Sequence, residues 1–276
     1  MKPHANLEPY AQERNGIFYF DSRLRQETVL LIHGNGDEAD TWRHIFVPLA
    51  QHFRVIALDL PGFGRSQTRI SSLSGFTDAV LELLEGLSLE AVHLVGSSLG
   101  AVVAANFATS HKTRAKTLCL IGGAAPNLGG LEVTAAIKPL LEIGIGEAFY
   151  NGLREAGQAA AFATLNPYYA NLSAMPDADL EFLGTRVWER VNSDTQRDAF
   201  FAALRSLFTA APRLELSLPT YLIWGEADNI VPQIHAQHLL QEIPESRLSL
   251  VAKAGHLPHQ EQPKATLEIL LEWLEL

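Results

Sequence analysis

The stretch "LVGSSLGAVVAANFA" (94–108) decides the fold, because a strand pattern changes to a helix pattern within it. The apolar run "AVHLV" (91–95) precedes Gly96, and a run rich in Ala and Val follows Gly100. The two glycines allow the backbone to turn tightly and the helix to pack close to its neighbours. We therefore predict a strand–turn–helix unit with Ser98 projecting from the turn.

The sequence on both sides of this unit continues the alternation of strand and helix. The apolar runs are short, nearly continuous and rich in Val, Ile and Leu, which is typical of a parallel sheet covered by helices on both faces. Strands are predicted at 27–34, 53–60, 90–97, 115–123, 218–228 and 246–256, and helices at 41–51, 74–87, 99–111, 233–242 and 265–276. The alternation predicts an α/β fold with a mostly parallel central sheet. "GIFYFDSR" (16–23) is predicted to form an antiparallel edge strand.

Residues 124–212 interrupt the alternation with helical patterns and no clear strand. The candidate helices are "VTAAIKPLLEIG", "GEAFYNGLREAGQAAAFATL", "DADLEFLGTRVWERV" and "DTQRDAFFAALRSLFT". Because the alternation resumes afterwards, we predict that this block is a helical cap inserted into the core. The core domain then comprises residues 1–123 and 213–276.

The composition excludes some classes of protein. The chain has 276 residues with 21 Lys and Arg against 31 Asp and Glu, which gives a formal net charge of −10. This charge argues against nucleic-acid binding, which requires clustered basic residues. The polar start of the sequence and the lack of an apolar run of about 18 residues predict a cytoplasmic protein without a membrane span. The single cysteine, Cys119, lies in an apolar run and is expected in the core.

A nucleophilic serine is the functional interpretation of the turn. The pattern G-x-S-x-G around Ser98 is weak alone, but a preceding strand and a following helix are the setting that exposes such a serine. The serine needs a base and an acid that orients the base. Asp228 and His256 each follow a later predicted strand, and the carboxyl ends of such strands gather at one edge of the sheet. We predict a catalytic triad of Ser98, Asp228 and His256.

Two backbone N–H groups are candidates for an oxyanion hole. The Leu99 N–H lies at the predicted helix start, and the Asn35 N–H lies in the loop "HGNG" after an earlier strand. Gly34 and Gly36 allow the unusual backbone angles of such a loop. One such donor contributes about 3–4 kcal/mol to stabilisation of the transition state.

Other residues compete for these roles. Ser97 is the alternative nucleophile, Glu226 the alternative acid and His259 the alternative base. The position of Ser97 before the centre of the motif disfavours it, Glu226 is expected at the strand end, and His259 is expected to bond to a nearby loop. No histidine pair has the spacing of a zinc site, so we expect no metal.

Several further polar and aromatic residues receive structural interpretations. His33 is expected to fix the oxyanion loop, and Asp59 with Arg65 to stabilise another loop. Arg186 and Arg190 lie four apart on one helix face, which favours a solvated face, although either could bind a substrate carboxylate. The aromatic residues of the cap are expected to pack mainly in its core, with a few lining an apolar pocket; they are Phe149, Tyr150, Phe162, Tyr168, Tyr169, Trp188, Phe200 and Phe201.

Five segments together resemble the α/β-hydrolase superfamily: "HGNG" (33–36), "DLPGFGRS" (59–66), "GSSLG" (96–100), "WGEADNIVP" (224–232) and "GHLPHQEQP" (255–263). The resemblance implies a sheet core, a helical lid after the sixth strand and no cofactor. It matches Ser98 to the nucleophile, Asp228 to the acid, His256 to the base, and Asn35 with Leu99 to the oxyanion donors. Haloalkane dehalogenases and epoxide hydrolases of the superfamily carry aspartate where this chain has Ser98.

The H-G-N-G segment resembles that of lid-bearing esterases and of hydrolases that cleave carbon–carbon bonds, and the H-G-G-G of lipases is absent. Ala101 is a small departure, since many relatives have glycine there. The expected function is hydrolysis of a carboxylic ester or related acyl compound, with a small and partly apolar substrate. Two alternatives remain: C–C bond hydrolysis of a β-diketone or vinylogous keto acid, and a ligand receptor without turnover. The sequence leaves the oligomeric state open.

Overall fold

A single mixed sheet forms the centre of the molecule. The computed structural model describes residues 1–24, 27–67, 71–128, 141–208 and 216–275. The strands are β1 (Ala11–Arg14), β2 (Ile17–Asp21), β3 (Thr28–Ile32), β4 (Arg54–Leu58), β5 (Val92–Ser97), β6 (Ala115–Ile121), β7 (Thr220–Gly225) and β8 (Arg247–Val251). Within the described ranges they form an eight-stranded sheet in the order β1-β2-β4-β3-β5-β6-β7-β8. The pairs from β4 to β8 are parallel, as predicted.

Helices cover both faces of this sheet. The helices of the described ranges are α1 (Phe46–Leu49), α2 (Leu73–Gly86), α3 (Leu99–Ser110), α4 (Ile145–Ala156), α5 (Gln158–Ala163), α6 (Asp177–Val191), α7 (Asp194–Leu207), α8 (Ile234–Glu242), α9 (Pro258–Glu261) and α10 (Pro263–Leu274). Alternate residues of β3 belong to opposite cores, because successive side chains of a strand point to opposite faces. Leu30 and Ile32 pack in the core that includes α2 and α3, and Val29 and Leu31 pack in the core that includes α1 and α10.

The antiparallel start of the sheet differs from the prediction. β2 pairs antiparallel with β4, as expected, but β1 covers its other side, so β2 is not an edge strand. Asn15 and Gly16 connect β1 to β2 with φ angles of 51° and 76°. An Asn-Gly pair with positive φ at both residues is the preferred two-residue hairpin turn. The Asn-Gly pair in the sequence therefore predicts this hairpin, which the pattern of apolar residues alone did not indicate.

The helix predicted at 41–51 is also wrong. The structure has a 3₁₀ turn at Ala39–Trp42 and then the four-residue α1. Pro48 explains the break, because proline has no N–H and its ring clashes with the carbonyl four residues earlier in a continuous helix.

Helices α4–α7, the inserted helices, lie between β6 and β7 in the chain, and residues 141–208 contain no strand. The pattern predicted as one helix at 146–165 is divided into α4 and α5 by Gly157, whose φ is 90°. Most of the pattern at 133–144 and the predicted cap boundary at 212/213 lie outside the described residues. The cap limits therefore stay a prediction. None of the helices in the described ranges is long and apolar enough to cross a membrane.

Backbone contact between α3 and the sheet allows no side chain at two positions. A Cβ atom on Gly100 would lie 2.2 Å from the Ile32 carbonyl oxygen, and one on Gly96 would lie 2.2 Å from the Gly100 carbonyl oxygen. Both contacts involve backbone atoms, which cannot move aside without moving a strand or a helix. Gly96 and Gly100 are therefore required because the backbones of α3 and the sheet approach each other closely.

We expect Gly100→Ala to lower the free energy of unfolding by about 1–3 kcal/mol or more, since a small-to-large change in a packed core forces backbone shifts. Thermal unfolding followed by circular dichroism measures the effect. Gly152→Ala is the matched control, because nothing lies within 4 Å of a Cβ at that helical position. The control should gain about 0.5–1 kcal/mol from helix propensity. Equal stability of the two variants would contradict the packing argument.

Candidate functional site

Ser98 occupies the sharp turn between β5 and α3. Its φ and ψ are 53° and −117°, a conformation that costs a residue other than glycine about 1–3 kcal/mol and tends to occur at functional sites. The surrounding structure holds the turn, since the Ser98 N–H donates to the Ile121 carbonyl at 2.8 Å. Its side chain remains partly exposed and lines a cavity. The location agrees with the strand–turn–helix prediction.

Asp228 and His256 form a buried pair. Asp228 follows β7, and one of its carboxylate oxygens accepts the N–H groups of Ile230 at 2.9 Å and Val231 at 2.8 Å. The other oxygen lies 2.8 Å from Nδ1 of His256. A carboxylate only accepts hydrogen bonds, so Nδ1 carries the proton and a neutral imidazole keeps a lone pair on Nε2. This is the tautomer that a general base requires.

Ser98 and His256 both line the same cavity, but no hydrogen bond joins them in this structure. His256 Nε2 is buried and has no hydrogen-bond partner among the described residues. Catalytic hydrogen bonds are often long or poorly aligned in the absence of substrate and tighten when it binds. The structure thus brings Ser98 and His256 to one cavity, with Asp228 bonded to the far side of the His256 ring, and leaves the serine–histidine bond unmade.

The two predicted oxyanion donors lie close to Ser98 in the chain or in space. Neither the Asn35 N–H nor the Leu99 N–H donates to another residue in the described part of the structure. The loop lies close to the serine, since a Cβ on Gly34 would be 3.2 Å from Ser98 Cβ. Gly36 has the positive φ expected for the loop, at 73°, whereas Gly34 is needed for the close approach.

His33 fixes this loop through both of its ring nitrogens. Nε2 accepts the Leu60 N–H at 2.8 Å. Nδ1 therefore carries the proton and donates to the Gly34 carbonyl at 2.7 Å. Burial lowers the pKa of His33 and so favours this neutral form. The structural interpretation of His33 agrees with the geometry.

The Asp59 carboxylate organises the neighbouring loop. It accepts the Ala39 N–H at 2.7 Å, the Arg65 N–H at 2.7 Å and the Arg65 Nε at 2.8 Å. Arg65 also pairs with Asp40. Burial opposes the charge of Arg65, but Asp59 and Asp40 more than offset it and raise the pKa. These contacts support the expected role of Asp59 and Arg65 in holding a loop.

The alternative acid and base lie in different surroundings. Glu226 is exposed just after β7 and makes no side-chain bond to His256. His259 is fully buried, stacks on Trp42 at 4.4 Å between ring centroids, and has Nε2 2.9 Å from Thr41 Oγ1. Burial, together with the charge of Arg43, lowers the pKa of His259 to about 3. His259 does not line the cavity, so its geometry is that of a packing residue.

A cavity of about 330 Å³ lies over Ser98 and His256. The inserted helices and the segments between them form much of its wall. Six of the eight aromatic residues noted in the sequence line it: Phe149, Tyr150, Tyr168, Tyr169, Phe200 and Phe201. Such a pocket suits a small, mainly apolar ligand with a few polar groups to fix its orientation.

Arg186 and Arg190 do not lie on a solvated face, which corrects the expectation for this helix. Arg186 is 5% exposed, with Nε 3.2 Å from a Glu38 carboxylate oxygen. Arg190 lines the cavity, and no hydrogen bond or close ion pair joins its guanidinium to another described residue. Burial alone would lower the pKa of Arg190, but the charges of Glu38 and Asp37 raise it. Arg190 is thus a permanent cation in the cavity wall.

Asp37 and Glu38 are not among the residues singled out from the sequence, although the acidic run "DEAD" (37–40) follows the oxyanion loop directly. Asp37 lines the cavity. Burial raises the pKa of Glu38, although Arg190 and Arg186 favour its charged form. Nowhere in the described ranges do three or more His, Cys, Asp or Glu side chains form a group that could hold a metal ion.

Comparison with known proteins agrees with the fold. The model of the alpha/beta hydrolase fold family matches residues 27–263. A 2-hydroxy-6-oxononadienedioate/2-hydroxy-6-oxononatrienedioate hydrolase of Pseudomonas putida is 30% identical, over 98% of this chain and 97% of its own length.

Two solved structures share the fold. A 2-hydroxy-6-oxo-6-phenylhexa-2,4-dienoate hydrolase of Rhodococcus has a TM-score of 0.77 at 21% identity, covering 94% of this chain and 95% of its own. A thermophilic esterase of Thermogutta terrifontis, with malate bound, has a TM-score of 0.77 at 24% identity and covers 96% of each chain. The strand order, the serine turn and these matches lead to one conclusion: the chain belongs to the α/β-hydrolase family and is a hydrolase.

Proposed function

We propose that the protein is a serine hydrolase that cleaves a carboxylic ester or a related acyl compound. The observation that carries the proposal is the arrangement around the cavity. Ser98 stands on a strained turn, and His256 is fixed by Asp228 in the tautomer of a base. The unused N–H groups of Asn35 and Leu99 supply donors beside the serine. Together these groups can stabilise every charge that develops during acyl transfer.

The reaction proceeds in two halves. His256 Nε2 takes the proton of Ser98 Oγ as the oxygen attacks the substrate carbonyl, and Asp228 stabilises the resulting imidazolium. The Asn35 and Leu99 N–H groups hold the oxyanion of the tetrahedral intermediate. When the intermediate collapses, the alcohol leaves with the proton of His256 and the acyl group remains on Ser98. Water, activated by His256, then releases the acid and restores the serine.

The walls of the cavity support a proposal for the class of substrate. Aromatic rings from the inserted helices provide an apolar surface around an acyl or alcohol group of moderate size. Arg190 adds one positive charge to this surface. The proposed substrate is therefore a partly apolar ester, and a carboxylate at its far end would meet the guanidinium.

C–C bond hydrolysis is the second candidate, and the position of Arg190 favours it. This reaction uses the same attack on a carbonyl, but the leaving group is a carbanion that an adjacent conjugated carbonyl must stabilise as an enolate. A β-diketone or vinylogous keto acid meets this requirement, and the keto acid carries the carboxylate that an arginine binds well. The Pseudomonas putida relative is named for cleavage of such a dicarboxylic compound.

Ser98→Ala tests the nucleophile directly. We expect kcat on short-chain p-nitrophenyl esters to fall by about 10⁴-fold or more, as for other serine hydrolases. Ser97→Ala is the matched control, because Ser97 is the neighbouring buried serine and lies on β5. It should retain turnover within about threefold and should still react with a fluorophosphonate. Ester turnover by the Ser98 variant would refute the proposal, whereas tight ligand binding without turnover by the wild type would support a receptor.

Asp228→Asn tests the orientation of the base. We expect kcat to fall by about 10⁴-fold with the fold intact, since an amide favours the wrong tautomer of the histidine. Glu226→Gln, two residues earlier and exposed, is the control and should act like the wild type. A large loss in the Glu226 variant and none in the Asp228 variant would reverse the assignment of the acid.

Arg190→Gln separates binding of a carboxylate from acyl transfer. For an ester whose acyl chain ends in a carboxylate, we expect kcat/KM to fall about 10- to 100-fold, the effect of losing one charged hydrogen bond. The corresponding neutral methyl ester should change by less than about threefold. Arg197→Gln, on α7, is the control because Arg197 already pairs with Asp194 and Asp198. An equal loss of kcat/KM on both esters in the Arg190 variant would argue against carboxylate recognition. If the wild type hydrolysed a vinylogous keto acid but no ester, the result would favour C–C hydrolysis.

A further inference from the structure

Three backbone N–H groups converge on the carboxylate of Glu261, at the end of α9. One oxygen accepts the Gly255 N–H at 2.6 Å. The other accepts the N–H groups of Ala170 at 2.7 Å and Asn171 at 3.4 Å. Gly255 immediately precedes His256, whereas Ala170 and Asn171 belong to the region between α5 and α6. One side chain therefore joins the loop that carries the predicted base to the insertion.

The two backbones are also in direct contact. A Cβ atom on Gly255 would lie 2.7 Å from the Ala170 nitrogen and 2.8 Å from the Tyr168 carbonyl oxygen. The His256 N–H donates to that same carbonyl at 2.8 Å. With no space between them, residues 168–171 and the 255–256 loop must move together. Glu261 supplies charge-assisted hydrogen bonds, which are about twice as strong as neutral ones.

This contact connects the cavity to the base. The Tyr168 side chain lines the cavity, and its ring lies 5.9 Å from the His256 ring between centroids. A ligand that fills the cavity touches Tyr168, whose carbonyl oxygen holds the His256 backbone. Glu261 itself is not part of the cavity wall, so it can act on the reaction only through its neighbours.

The side chain of His256 is held at one end and free at the other. Asp228 fixes the direction of Nδ1, but Nε2 has no hydrogen-bond partner in the described part of the chain. With Asp228 as a pivot, the separation of Nε2 from Ser98 Oγ depends on the position of the His256 backbone. The backbone contacts with Tyr168 and, through Gly255, with Glu261 set that position.

We propose that Glu261 is a positioning residue for His256, which it holds by fastening residues 168–171 to the loop before the base. Substrate contact with Tyr168 then brings His256 Nε2 into reach of Ser98 Oγ. This inference rests on the proposed function, because it assumes that His256 is the base. In this proposal, residues 168–171 of the insertion help to align His256 with Ser98.

Glu261→Gln is the test, because it keeps the size of the side chain and places an amide N–H against backbone N–H donors. We expect kcat to fall about tenfold, or about 1.4 kcal/mol in the barrier, with KM changed by less than about twofold because Glu261 does not line the cavity. Glu268→Gln, an exposed glutamate on α10, is the matched control and should leave both constants unchanged. Glu261→Asp, which keeps the charge but shortens the reach, should give an intermediate kcat.

The downfield proton resonance of the His256 Nδ1–H···Asp228 bond is a second measurement, independent of turnover. We expect it to shift or broaden in the folded Glu261→Gln variant and to persist in Ser98→Ala. An unchanged resonance and unchanged kcat in folded Glu261→Gln would overturn the positioning role. So would a fall in kcat that only tracks a loss of thermal stability, in both the Gln and the Asp variants. Turnover by Ser98→Ala would instead refute the proposed function, while the resonance would still report on the position of His256.

Discussion

The contact between the backbones of α3 and β3 is the constraint on which the rest of the structure depends. A helix can approach a strand backbone this closely only where the helix residue has no side chain, which is why Gly100 lies against the Ile32 carbonyl. The preceding turn, which connects β5 to this helix, holds Ser98 in its strained conformation. It also brings the start of α3 beside the loop that follows β3. The strain is local, and the two buried cores on either side of the sheet supply the stability that maintains it.

The sheet was predictable because apolar runs such as β3 and β5 are fully buried, and complete burial imposes a continuous apolar pattern. The strand and helix patterns predicted less where single residues determined the end or the break of an element. The Asn15–Gly16 pair determines a hairpin that the strand pattern did not reveal. Pro48 interrupts the continuous helix that the apolar spacing of residues 41–51 favoured. The periodicity of the sequence thus predicted the sheet and the helices that cover it, whereas individual turn-forming residues determined where these elements begin and end.

The three residues proposed as the triad could be located from their order and from the strand ends that precede them, since a parallel sheet brings those ends together. The difference between Arg186 and Arg190 could not be predicted, because both lie on one helix face. Contact with the loop after β3 places Arg186 against Glu38 and leaves Arg190 in the cavity wall. The hydrogen bonds of Glu261 could not be predicted from the sequence either, because their donors are backbone N–H groups, which every residue except proline supplies.

The attachment of α6 to the core has a consequence for the effect of salt. Two ion pairs that join it to the core are buried: the side chains of Arg43 and Asp179 are 0% and 8% exposed, and those of Arg186 and Glu38 are 6% and 2% exposed. Dissolved ions screen exposed pairs such as Arg154–Asp194, but screen buried pairs much less. Helix α6, which forms part of the cavity wall, therefore stays attached to the core as ionic strength rises. Salt acts instead on the Arg154–Asp194 pair, which joins two of the inserted helices, α4 and α7, to each other rather than to the core.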